Sequence, residues 1–72
     1  MNNEMKLRQE IQVQYPTIDA LRILAAKLDP LVGAHNISIR ADFSHGLEWA
    51  AHTIIAECEK HGLTEAQIRA VL

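Results

Sequence analysis

Asn36-Ile37-Ser38-Ile39-Arg40-Ala41-Asp42-Phe43 is the stretch on which the fold class turns. Apolar and polar residues alternate along it, so an extended chain would place Ile37, Ile39, Ala41 and Phe43 on one face. Its β-branched content also suits a strand. Glu10-Ile11-Gln12-Val13-Gln14-Tyr15 alternates in the same way, although the residues leading into it, Met5 to Glu10, are good helix formers. A helix through Leu7, Ile11 and Tyr15 is the competing reading there. Taken as strands, the two segments give an α+β, helix-rich fold in the order strand, helix, strand, long helix, short helix. Taken as helices, they give an all-α bundle. The strand reading is the expectation, and it carries a corollary. Two strands alone are unstable in water, so they would have to lie on the helices or be extended by a second copy of the chain.

The segments around these stretches read as helices. Thr17 follows Pro16 and opens a stripe of Ile18, Leu21, Leu24, Ala25 and Leu28, which Asp29-Pro30 interrupts. Pro30 to Asn36, with Gly33, reads as a turn or one extra helical turn. Ser44 to His61 carries Leu47, Ala50, Ala51, Ile54, Ile55 and Cys58 at amphipathic helical spacing. Asp42 or Ser44 stands where a side chain caps such a helix. Gly62 sits where positive φ closes a helix, and Leu63 where the chain packs back on Cys58. Thr64-Glu65-Ala66-Gln67 then forms a capping box, with Leu63 and Ile68 as its staple. Residues 44–72 thus read as helix, corner, short helix, the last with Ile68, Val71 and Leu72 facing inward.

The 72 residues form one small domain spanning 1–72, with 1–6 open to disorder. A chain this short buries only about 60% of the surface its unfolded form exposes. Such scaffolds depend on a disulfide, a metal, association or dense packing. Cys58 is the single cysteine, so no intrachain disulfide forms, while eight Ile, eight Leu, three Val and ten Ala supply packing material. The unpaired thiol and the absence of a leader pattern point to the cytoplasm. No stretch reaches the roughly 18 apolar residues needed to span a bilayer. Seven basic residues are dispersed among nine acids for a net charge of −2, without the basic cluster that tracks phosphates.

Trp49 is the anomaly. At about 100° per residue it stands opposite Leu47 and the aliphatic stripe, among His45, His52, Thr53, Ala56 and Lys60. Something must cover it: either the N-terminal segment, with Tyr15 or Val13 against the indole, or a second molecule, for which tryptophan is the residue most enriched in hot spots. Trp49, His45, His52, Thr53, Ala56 and Lys60 are therefore the candidate interface. A homodimer is the first expectation, because closed symmetric dimers are the commonest oligomers.

Signs of chemistry are thin. His45, Glu48 and His52 could share a helix face, and Cys58 and His61 are three apart, but neither set has a second half or zincin spacing. These histidines read as surface or interface residues, with no metal. Ser44 and His45 are adjacent, and adjacent residues on a helix diverge. Gly33, Gly46 and Gly62 are isolated, so no phosphate loop exists. Nothing calls for catalysis, a cofactor or a small-molecule substrate. The corner at His61–Thr64 has the small residue, glycine and aliphatics of a helix-turn-helix, but the helix after it begins with Glu65 and offers only Gln67 and Arg69 to base edges.

The order of elements, with a short alternating segment leading into a Pro-Thr-capped helix and then an Ala-rich amphipathic helix, resembles tiny phage or plasmid accessory proteins. That resemblance implies a regulator or inhibitor of another complex, with no catalytic residues. The functional expectation is a self-associating, non-catalytic module that binds another protein. The alternative is a dimeric helix-turn-helix-like DNA-binding regulator.

Overall fold

The computed structural model describes residues 3–72, and among them every regular element is helical. The order is α1 (Asn3–Gln14), α2 (Ile18–Leu28), a 3₁₀ turn (Asp29–Leu31), α3 (Ile37–Arg40), α4 (Leu47–Lys60) and α5 (Glu65–Val71). The α+β expectation is therefore overturned in favour of the all-α alternative. The corollary that a second copy would extend a lean sheet falls with it.

Both misread segments fail for one geometric reason. Residues four apart share a face in a strand and also in a helix, so Ile37 with Ala41, and Ile11 with Tyr15, satisfy either template. The residue between each pair decides. Val13 is 80% exposed and Ile39 76% exposed, whereas Leu7, Ile11, Tyr15, Ile37 and Ala41 are buried. Tyr15 continues the helical ladder by donating its amide to Ile11 O at 2.7 Å, and Pro16 then stops it. Of residues 1–6, left open to disorder by the sequence, 3–6 lie in α1 and 1–2 fall outside the described residues.

Few apolar anchors seat α1, and polar ties at its rim add to them. The Arg69 guanidinium of α5 grips Glu10 with Nε 3.1 Å from Oε1 and a terminal nitrogen 3.1 Å from Oε2. His52 of α4 meets Glu4 at 2.8 Å, and Arg8 lies 3.5 Å from Glu48. In α2, Thr17 accepts the Ala20 amide at 3.0 Å, and the expected stripe turns inward. Past the 3₁₀ turn, the Asp29 carboxylate accepts the Ser38 amide at 3.0 Å and the Ser38 hydroxyl at 2.5 Å. It thereby fastens the single turn of α3 to the end of α2.

Helix α4 is central and touches α1, α2, α3 and α5. Ala50, Ala51, Ile54, Ile55 and Cys58 are fully buried in one core that runs through all five helices, while Leu47, counted on the same stripe, is exposed. The end of α4 matches its sequence reading. Gly62 has φ +91°, and Leu63 donates to Cys58 O at 3.0 Å while Gly62 donates to Glu59 O at 3.1 Å. These two bonds are the paired closure of a Schellman motif. Thr64 and Gln67 exchange both capping-box bonds, at 2.8 and 3.2 Å. No described residue with a polar or charged side chain is fully buried, so the core is purely apolar.

Candidate functional site

Trp49 stands on the first turns of α4, 48% exposed, away from the core. The residue that organises its surroundings is Asp42, in the connection between α3 and α4. Thr53 of α4 holds the Asp42 backbone by accepting its amide at 2.9 Å, and donates its own hydroxyl to Ala50 O at 3.0 Å. With the backbone fixed, the carboxylate takes four contacts. Oδ1 accepts the Ser44 amide at 2.9 Å and the Ser44 hydroxyl at 2.6 Å. Oδ2 meets His45 Nδ1 at 2.8 Å and accepts the indole N–H of Trp49 at 3.2 Å. The Ser44 side chain and backbone, with His45 adding to them, hold the Asp42 carboxyl far below the usual carboxylate range.

Because an ionised carboxylate only accepts, the proton on His45 sits on Nδ1, facing Asp42. Asp42, His45 and Trp49 line an open concavity of about 370 Å³. The His52 ring lies 5.1 Å from the Trp49 ring at 44°, and its Nδ1 meets Glu4 at 2.8 Å. Trp49 thus shares the Asp42 carboxylate with His45 and lies against the ring of His52, which is held by Glu4.

The candidate interface divides accordingly. His45, Trp49 and His52 form one cluster, and Thr53 supports it from behind through Asp42. Ala56 and Lys60 are exposed farther along α4 and do not line the concavity. Neither proposed intrachain cover reaches the indole as expected. Tyr15 is buried with its hydroxyl 3.1 Å from Lys27 Nζ, and Val13 points outward. Asp42 carries the site, and the sequence reading assigned it only a possible capping role. Gly46, with φ +96°, occupies the α4 N-cap without a side-chain bond, so neither Asp42 nor Ser44 caps the helix. The available signal was Asp42-Phe43-Ser44, an Asx-type turn spanning three residues.

Ser44 and His45 lie in the loop before α4 and do touch, with Ser44 Oγ 3.0 Å from His45 Nδ1, contrary to the expected divergence. The contact is still no catalytic relay. A relay needs the nucleophile on one imidazole nitrogen and the acid on the other. Here Ser44 and Asp42 crowd the same nitrogen. For metal binding, His45, Glu48 and His52 are dispersed to Asp42, Arg8 and Glu4 respectively. Among the described residues no group of three or more histidine, cysteine or acidic side chains could hold an ion. Cys58 is buried, and that burial pushes its thiol up to about 12. Arg69, one of the two side chains suited to base edges at the α4–α5 corner, is committed to Glu10. No helix among the described residues is long and apolar enough to cross a membrane. No protein-family model, curated protein or solved structure matches this chain.

Proposed function

We propose that this chain is a small non-catalytic binding module whose contact surface is centred on Trp49, with His45 and His52 beside it. The observation that supports the reading is the state of the indole. It is half exposed, yet its N–H is already satisfied by Asp42. An exposed aromatic held in one orientation loses little conformational freedom on contact, which favours tight association. The occupant proposed first is a second copy of the chain, and the module then acts as a regulator or inhibitor by engaging another protein. The buried, unpaired Cys58 suits action in the cytoplasm.

The experiment is a comparison of wild type with Trp49→Ala by light scattering over micromolar concentrations, with circular dichroism alongside. The expected result is concentration-dependent association in the wild type and its weakening in the variant, with helical content unchanged. A wild type that stays monomeric removes the dimer. Loss of helix in the variant makes Trp49 a structural residue and overturns the reading. Duplex binding at low salt in the same series would favour the DNA-binding alternative instead.

A further inference from the structure

His35 and His61 lie face to face at the opposite end of α4 from Trp49, with ring centroids 3.9 Å apart and planes within 9° of parallel. His35 belongs to the loop between the 3₁₀ turn and α3, and His61 is the residue on which α4 ends. Their stack is a side-chain bridge from that loop to the α4–α5 corner. It leaves the His61 ring poorly placed to carry a charge. His61 Nε2 is shielded from solvent and has no hydrogen-bond partner, and neither has the neighbouring Glu57 Oε1, which stands 3.8 Å away. That separation is too long for a hydrogen bond.

A proton added to His61 therefore creates a charge that is poorly solvated and lies against a second imidazole. Burial disfavours it first and His35 next, with Lys60 of α4 and Arg40 of α3 adding repulsion, while Glu57 alone attracts. These opposing groups hold His61 below the ordinary histidine range.

We infer that the His35–His61 stack is an acid-released latch, joining the loop before α3 to the α4–α5 corner while His61 is neutral and letting them part when His61 is protonated. The direction follows from linkage. A histidine depressed in the folded state is neutral there while its unfolded counterpart is already charged. Its stabilising effect is full above the unfolded value of about 6.5 and is lost progressively as pH falls from there through the folded value. Each unit of displacement corresponds to about a tenfold change in the opening equilibrium.

The test is a ring-proton NMR titration of the full chain from about pH 7.5 to about pH 5, with amide hydrogen exchange corrected for intrinsic rate. In the wild type, His61 is expected to titrate below the ordinary range. Exchange at Ala34–Ile37 and at His61–Leu63 is expected to rise several-fold together as it does so, while the core of α4 stays protected. His35→Phe keeps a stacking ring that cannot charge. In that variant His61 should titrate closer to the ordinary value and the exchange response should shrink, though burial retains part of it. The latch is overturned if His61 titrates at the ordinary value in the wild type, if the two segments open independently, or if His35→Phe leaves the full pH response in place.

Discussion

Trp49 Nε1 and Asp42 Oδ2 are joined across 3.2 Å, and through that bond a seven-residue separation in sequence becomes one rigid unit on the surface. Asp42 is in turn fixed by Thr53, which lies one helical turn beyond Trp49 on the same helix. The indole is therefore oriented from both ends of a closed loop of contacts, α4 to Asp42 and back to α4.

Asp42→Asn keeps the shape of the side chain but replaces an oxygen acceptor by a donor, so it cannot serve Ser44, His45 and Trp49 together. Trp49 should become more mobile, seen as lower fluorescence anisotropy, and association should weaken in the same direction as in Trp49→Ala. The acid side gives an independent check. Asp42 is depressed in the folded state, so its stabilising effect is present above the unfolded carboxyl value of about 4 and lost as pH falls below it. Urea midpoints of wild type and variant should differ by a constant amount at neutral pH and converge in acid. Parallel curves throughout would mean that the Asp42 charge does nothing for the fold.

Paired substitutions test the packing of the two stretches with alternating sequence. Ile11→Lys and Ile37→Lys bury a charge in a core that holds no other, and either should abolish cooperative unfolding. Val13→Lys and Ile39→Lys, two residues away, should stay within about 0.5 kcal/mol of the wild type. Chemical denaturation of the four proteins checks this directly.

The contrast between those positions also explains what the sequence could disclose. The α4–α5 junction was legible because its signals are local: a glycine that needs positive φ and a Thr-x-x-Gln box act within a few residues. Thr17 was legible for the same reason. The fold class was not, because the spacing of Ile37 and Ala41 fits two templates and only tertiary burial shows that Ile39 is left out. Trp49 could be placed on the outer face by angle alone. Asp42 could not be read as its organiser, because that role depends on the path of the chain between α3 and α4. The stack of His35 on His61 joins residues 26 positions apart and leaves no local trace at all.

The corner after α4 should be the easiest place to weaken the molecule without touching its surface cluster. Thr64→Ala removes one capping bond and leaves the Gln67 amide without its acceptor, at a cost of about 1 kcal/mol. Gly62→Ala has open space around the new methyl group, so its cost is conformational, from φ +91°, and should also be about 1 kcal/mol. Thermal melts should show both losses with Trp49 emission in the folded state unchanged. A neutral Gly62→Ala would mean the turn relaxes to negative φ.

Cys58 offers a reporter that separates core from surface. It is fully buried on the core face of α4, and a thiol pushed to about 12 from the ordinary 9 holds roughly a thousandfold less thiolate at neutral pH. Alkylation should therefore proceed through the open state and track its population. Thr64→Ala, if it costs about 1 kcal/mol, should speed labelling about fivefold. Trp49→Ala should leave the rate unchanged in dilute solution, where association contributes nothing, because the indole covers no part of the core. Acceleration of labelling by Trp49→Ala would instead make the indole a structural support for α4. Rapid labelling of the wild type in native buffer would show that the thiol is open to solvent and that α4 is not the sealed centre of the fold.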